Sequence, residues 1–294
     1  VQPDHLGLKG IHTVDDLAKV KAVVAEMVRE GGVTVLNADD EQCVNMAQYS
    51  REKIVYFSLR PSNPVIQVHI DNDHTAVVYD RGYITIISGE SVTPVARAVD
   101  MPITLEGRAM FNVQNALAAT AVGHAMGMKI EEIRHGLISF FPSPTQTPGR
   151  TNFFSIKDFE VMLDYAHNPP AYKNIIDLIS RLGHIRCLFV FDVVGDRRDE
   201  DLREMCHLIA SVCQHAIVYE DKKLRGRQPG ELMNFVEKAF IDVGFDANAV
   251  EKIADEKQAI ERALSMAQKD DLVCIMSGRV EQAVEQLNAF QEKI

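Results

Sequence analysis

Several absences bound this chain before anything present does. No apolar run among its 294 residues approaches the ~20 needed to span a bilayer, and no secretory signal is read in its opening residues. A membrane is therefore not expected as a partner. There is no C-x-x-C pair: five cysteines stand singly at 43, 187, 206, 213 and 274, and Cys43, Cys187 and Cys274 lie in or beside apolar segments. Reduced thiols in a cytoplasmic protein are expected rather than disulfides or metal ligands. Positive charge is scarce. Thirty-one Lys and Arg face 42 Asp and Glu, a net charge of −11, which argues against nucleic acid and is compatible with a cationic substrate. The chain has no G-x-x-x-x-G-K-[ST] loop, so these residues carry no P-loop to cradle phosphates. It has no internal repeat and no low-complexity tract. It also has no initiator Met, and its opening VQPDHLGL reads as a loop following a strand, so a piece of a longer chain is expected.

What is present is an ordinary globular composition, 46% hydrophobic and 25% charged, long enough for two domains. Residues 13–30 read as a helix with Thr13 as cap and Asp16 three residues on, stopped by Gly31-Gly32. Residues 33–36 and 54–58 read as strands. Residues 75–80 and 83–88 alternate around Arg81-Gly82 as a hairpin, so 60–107 is expected to form an antiparallel extension on an otherwise parallel sheet. Helices are expected over 112–126 and 130–140, and Pro142, Pro144 and Pro148 then punctuate a linker. Beyond it, strands (161–163, 187–194, 216–219, 272–276) alternate with helices (171–182, 199–213, 230–243, 255–267, 280–291), the pattern of a doubly wound α/β domain. The expected division is 1–149 and 150–294.

The chain is organised around residues 148–170, PGRTNFFSIKDFEVMLDYAHNPP. Val161-Met162-Leu163 is a buried strand in this reading, Asp164 stands at its carboxyl end, and Pro169 or Pro170 opens a helix. Polar groups at the carboxyl end of a strand, facing a helix N-terminus, suit a phosphorylated ligand. A strand, a turn and a Pro-started helix account for the backbone here. They do not account for Asp, His and Asn falling together.

Arg150 followed by Asp-Tyr-Ala-His-Asn-Pro resembles the interdomain junction and C-terminal-domain signature of the Mur ligases and folylpolyglutamate synthases. These are ATP-dependent enzymes that join an amine to a carboxylate. Within that superfamily the resemblance is strongest to the cyanophycin synthetase branch, which builds poly-aspartate bearing arginine. It rests on Asp4-His5-Leu6-Gly7, Thr147-Pro148-Gly149-Arg150, Gly195-Asp196-Arg197-Arg198-Asp199-Glu200-Asp201, Glu220-Asp221 and Arg225-Gly226-Arg227. The resemblance implies the later part of a central ATP-binding domain with its antiparallel extension, then a Rossmann-like C-terminal domain. It implies ATP and Mg2+ as cofactors. L-arginine and an aspartate–arginine polymer are the implied substrates, and a homo-oligomer the implied assembly. The P-loop and ATP-grasp regions of that branch are not among these residues.

The resemblance also assigns residues. His5 would help hold magnesium, against a plain reading as a loop or capping residue. Lys21 matches a lysine that many members carbamylate for a second metal, against a solvated helix lysine. Asn112 and Asn115 match an asparagine pair whose amide reads adenine, an exchange of donor and acceptor that chemistry allows. Asn112 could instead cap its helix. Arg150 would bind the nucleotide phosphates through a bidentate guanidinium, and Asp164 the ribose hydroxyls. His167 and Asn168 would shape the loop near the γ-phosphate and the incoming amine. Asp196, Arg197, Arg198 and Asp199 would form a substrate-contacting loop, and Glu220, Asp221, Arg225 and Arg227 would read the incoming amino acid and the polymer. For both groups the competing reading is helix-dipole complementarity or a solvated charge run. A different ligase of the same superfamily, or a non-catalytic polymer-binding module, are the alternatives.

Overall fold

The computed structural model describes residues 1–3, 10–195, 197–220 and 224–293. The chain forms two units, Val1–Phe141 and Pro142–Ile294.

The first unit is a five-stranded sheet between two helical layers. Its elements are α1 (Val14–Glu26), β1 (Val33–Asn37), α2 (Glu41–Asn45), β2 (Lys53–Ser58), α3 (Pro64–Asp71), β3 (Thr75–Asp80), β4 (Tyr83–Ser88), β5 (Ser91–Arg97), α4 (Met110–Ala125) and α5 (Ile130–Ser139). Strand order is β1-β2-β3-β4-β5, with β1, β2 and β3 parallel and β4 and β5 antiparallel additions. Alternate strand residues serve opposite faces. Val55, Phe57, Val77, Ile84 and Ile86 pack against Val113, Leu117 and Ile133 of α4 and α5. Leu36, Tyr56, Ala76 and Val78 pack against Ala18 and Ala22 of α1 and Ile66 of α3.

The Thr13–Asp16 capping box forms as expected, but α1 ends at Glu26 rather than at residue 30. Gly31 leads the chain into β1, its N–H donating to Glu52 Oε2 at 2.9 Å. The hairpin is a two-residue turn with positive φ at both Arg81 and Gly82, the geometry that matches strand twist. The antiparallel extension is narrower than 60–107. β3 pairs parallel with β2, and residues 64–71 are a helix, capped by Asn63 whose Oδ1 accepts the Val65 N–H.

The second unit holds β6 (Asn152–Ile156), β7 (Phe159–Asp164), α6 (Pro169–Ile179), β8 (Arg186–Val193), α7 (Asp199–Ala210), β9 (His215–Glu220), α8 (Glu231–Asp242), β10 (Val250–Lys252), α9 (Glu256–Met266), β11 (Asp271–Met276) and α10 (Val280–Lys293). Strand order is β10-β9-β8-β11-β7-β6, all parallel except β6. One face packs Val161, Leu163, Val190, Ile217 and Val273 against Ile260, Leu264 and Leu287 of α9 and α10. The other carries an aromatic row, Tyr172–Phe189–Phe191–Phe240, linking α6 and α8 to β8. Each large side chain so buried contributes about 1.5–3 kcal/mol. The strands are near-continuous apolar runs because helices cover both faces. This is a doubly wound α/β unit, as the alternation of elements predicts.

β7 and β11 are adjacent, yet the helices that follow them, α6 and α10, leave onto opposite faces. Their carboxyl ends therefore open a crevice, the position where open α/β sheets take ligands.

Candidate functional site

The crevice is lined by Pro148, Arg150, Tyr165, Gly278, Arg279 and the first turn of α10, around a volume of about 400 Å3. Asp164 ends β7 and is buried, with two loops tied to it. Its Oδ2 accepts the Thr151 N–H at 2.7 Å and the Thr151 hydroxyl at 3.1 Å, and its Oδ1 accepts the Ala166 N–H at 2.8 Å. Burial raises its pKa above the ordinary carboxylate value. The bonds from Thr151 and Ala166, and the nearby Arg150 charge, oppose that rise.

These contacts place Arg150. Thr151 has a φ of +52°, a left-handed conformation costly for a β-branched residue, and its two hydrogen bonds to Asp164 hold it there. Gly149 has a φ of +66°, and a Cβ on it would lie 2.5 Å from Val280 Cγ2, so only glycine fits against α10. Asn152, buried and not foreseen from the sequence, accepts the Gly149 N–H at 2.8 Å and donates to the Thr147 carbonyl at 3.0 Å. The Arg150 guanidinium then lies over the Tyr165 ring, 5.7 Å from its centroid.

His167 Nδ1 lies 3.0 Å from the Tyr165 carbonyl, its ring tilted against Tyr165. Asn168 is the N-cap of α6: its Oδ1 accepts the Ala171 N–H at 3.0 Å, and Pro169 follows at the first helical position. Arg150, Asp164, His167 and Asn168 are thus brought to one strand end.

In the first unit, Asn112 is not the cap of α4. Ala109 holds that position without a side-chain bond, and Asn112 sits inside the first turn. Its Nδ2 donates to the Ile103 carbonyl at 2.8 Å, and its Oδ1 accepts from Asn115 Nδ2 at 3.1 Å. Both asparagines line a mostly apolar groove of about 340 Å3 between α4 and α5, with Ala119, Met128 and Phe140. The same unit carries a polar knot that the sequence reading missed. Asp39, beyond β1, accepts from the Ser58 hydroxyl, the Leu59 N–H and Asn63 Nδ2.

Several of the residues expected to contact substrate are engaged within the protein. Arg227 pairs with Asp199 at 2.6 Å and with Glu231 at 2.9 Å, joining the loop after β9 to the start of α7. Arg198 pairs locally with Asp201, and both Glu220 carboxylate oxygens accept the Gly230 N–H. A Cβ on Gly195 would fall 2.0 Å from the Leu224 carbonyl oxygen, so these loops touch through a glycine. Arg225 lies in the same loop with a φ of +50°, and Arg197 precedes α7. His5, Asp196 and Asp221 lie outside the described residues. Lys21 is exposed on α1. Among the described residues no group of three or more His, Cys, Asp or Glu could hold a metal. These residues do not form a cage for Mg2+, an ion that takes mostly oxygen ligands and keeps several waters.

A second cluster adjoins the crevice. Glu256, at the start of α9, accepts from the Ser277 and Tyr219 hydroxyls through Oε1 and pairs with Arg279 through Oε2. The sequence singles out Ser277-Gly278-Arg279, ending the last strand, as a minor substrate contact, and does not point to Glu256 or Tyr219.

The two units carry matches to the middle and C-terminal domains of the Mur ligase superfamily, to which this chain belongs. The Mur ligase middle domain matches residues 1–123, and the Mur ligase glutamate ligase domain matches residues 149–279. Within the superfamily the chain is 40% identical to a cyanophycin synthetase from Synechocystis sp. over 289 residues, 98% of this chain and 33% of that protein. It therefore spans about a third of the length of the cyanophycin synthetases it matches. Its fold is shared with MurF from Acinetobacter baumannii (TM-score 0.68, 16% identity, 99% of this chain and 58% of that one). It is shared equally with E. coli FolC in complex with ADP (TM-score 0.68, 18% identity, 99% of this chain and 61% of that one).

Proposed function

We propose that this chain is the nucleotide- and amine-handling portion of an ATP-dependent ligase that adds L-arginine to side-chain carboxylates of poly-aspartate. The carboxylate would take the γ-phosphoryl of ATP, releasing ADP, and the α-amine of arginine would attack the acyl phosphate, forming an isopeptide bond as inorganic phosphate and a proton leave. The observation that carries the reading is the strand-end crevice, where Arg150 is held over Tyr165 by the Asp164–Thr151 clamp. The 40% identity to a cyanophycin synthetase along 98% of the chain supports the choice of substrate. Cytoplasmic placement and a homo-oligomer belong to the same proposal.

ATP, when bound, supplies the phosphoryl group and the adenine anchor; the rest falls to side chains. Arg150 offers a bidentate fork to a phosphate. Asp164 already accepts three hydrogen bonds, which leaves about one of its roughly four acceptor positions for a ribose hydroxyl. Asn115 spends one amide hydrogen on Asn112, and the other, with its oxygen, suits the donor–acceptor edge of adenine. Asn168 fixes the loop that carries His167 beside the site of amine attack. The paired Asp199 and Arg227 make a rigid frame for reading the incoming amino acid, not a set of loose charges.

The test is selective binding without turnover. By calorimetry the 294 residues should bind L-arginine or an aspartate–arginine polymer in preference to L-lysine, L-glutamate and meso-diaminopimelate. With no P-loop they should release no ADP continuously. Preference for diaminopimelate or glutamate would move the chain to a peptidoglycan- or folate-type ligase. Sustained arginine-dependent ADP release would refute the reading of the missing loop.

A further inference from the structure

The buried cluster beside the crevice has the form of a support for one guanidinium. Glu256 belongs to the first turn of α9, where a carboxylate favours the helix dipole and would ordinarily face water. Its side chain is instead only 10% exposed. Three groups from two other chain segments converge on it. The Ser277 hydroxyl donates to Oε1 at 2.5 Å, the Tyr219 hydroxyl lies 3.2 Å from the same oxygen, and Arg279 reaches Oε2 at 3.3 Å. Ser277 Oγ in turn accepts the Arg279 backbone N–H at 3.0 Å. One carboxylate thus governs both ends of Arg279, its guanidinium directly and its backbone through Ser277. The Tyr219 proton is shared with the Met276 carbonyl at 2.9 Å, which ties the cluster to the end of β11. Burial, with Asp192 and Glu256 nearby, keeps that phenol protonated and so a donor.

Arg279 lines the same crevice as Arg150. Its carbonyl accepts the Ala283 N–H, so Arg279 caps α10 and the amides of residues 280–282 have no intrahelical acceptor. Residues 280–282 also line the crevice. Glu281 is among them, and its carboxylate opposes an anion there. Arg279 is itself balanced by Glu256, so the bias toward an anion comes from Arg150 and the α10 N-terminus, with Arg279 beside them as a hydrogen-bond fork held in place.

We propose that Glu256 is a positioning residue, holding Arg279 so that it forms with Arg150 and the first turn of α10 a receptor for an oxyanion, phosphoryl or carboxylate. The proposal rests on the ligase reading only for which oxyanion is bound. A purely architectural Glu256 would change stability and leave the affinity of folded protein untouched.

The experiment uses the 294-residue chain with Glu256→Gln, Arg279→Ala and the double variant. The probes are inorganic pyrophosphate and ADP for the phosphoryl source, and L-aspartate for the carboxylate source. Phenylglyoxal modification of Arg279, read by mass spectrometry without ligand, reports its environment directly. Expected is a loss of about tenfold or more in oxyanion affinity for each single variant, the scale of one charge-assisted bond. The double variant should bind no more weakly than Arg279→Ala, and Arg279 modification should accelerate in Glu256→Gln. Folded Glu256→Gln with wild-type affinity, losses that multiply in the double variant, or unchanged Arg279 reactivity would each overturn the proposal. Pyrophosphate binding that Glu256→Gln abolishes, without any ADP binding, would support it while refuting the nucleotide reading.

Discussion

Replacing Asp164 tests the clamp on which the crevice depends. Asp164→Ala removes the acceptor of two buried backbone N–H groups, Thr151 at 2.7 Å and Ala166 at 2.8 Å, and of the Thr151 hydroxyl. Each buried N–H left without a partner costs about 1–3 kcal/mol. The hydroxyl can rotate to another acceptor and adds little. Thr151 would also keep a left-handed backbone that nothing then holds. A loss of about 4 kcal/mol from the second unit follows, within a range of about 2–6. Asp164→Asn keeps one acceptor oxygen and turns the other into a donor facing an N–H, so it should cost about 1–3 kcal/mol. The assay is urea unfolding followed by pulsed thiol labelling. Cys187, Cys206, Cys213 and Cys274 are all buried in this unit and report its opening alone. Acidity supplies a second axis. Burial raises the folded pKa of Asp164 above 3.8, so the folded state holds that proton more tightly than the unfolded chain. The corresponding stabilisation is fully present below about pH 3.8 and is lost as pH rises through the folded value. Asp164→Asn lacks this dependence, so its deficit against wild type should narrow as pH rises through that window. An Asp164→Ala variant within about 1 kcal/mol of wild type would refute the clamp, and a deficit that widens with pH would refute the dominance of burial over its hydrogen bonds.

Three further outcomes follow from single contacts. Gly149→Ala should destabilise the second unit by about 2–4 kcal/mol, combining overpacking against Val280 with a left-handed φ; adding Val280→Ala should recover the steric part only, and full recovery by urea melting would remove the backbone argument. Arg186→Ala strips the fork from Asp271, whose side chain is 3% exposed, and should cost about 3 kcal/mol in the same measurement, while a loss under about 1 kcal/mol would mean that water replaces the guanidinium. With Ellman's reagent at pH 8, Cys43 should be the single thiol to react on mixing; burial pushes Cys206 up to about 12 and raises Cys213 and Cys274 as well, so a second fast thiol would contradict the packing.

What was legible in the sequence divides by how far apart in the chain the interacting residues lie. Four of the six strands of the second unit, β7, β8, β9 and β11, are apolar runs that a local pattern suffices to find, whereas the edge strands β6 and β10 are not among the expected strands. The group Arg150, Asp164, His167 and Asn168 is legible for the same reason, because one hairpin and one helix start carry it. Misses within that range come from turn chemistry. Lys157 with a φ of +51° makes a tight β6–β7 hairpin without glycine, and α3, capped by Asn63, falls inside 60–107, which reads as an antiparallel extension. The Asp199–Arg227 pair and the Glu256–Ser277–Arg279 cluster span 28 and 21 residues or more, and a charge run does not say whether it is solvated or paired. What decides them is strand order. β11 inserts between β8 and β7, and that step brings the 277–279 turn beside Arg150 and Tyr165, more than a hundred positions earlier in the chain. Insertion depends on which strand edge each crossover helix can reach while covering the sheet, a property of the packed unit and of no single segment. The half of the crevice contributed by β7 could therefore be read from its own residues, whereas the half contributed by β11 and α10, with its support from α9, joined it only once the sheet was assembled.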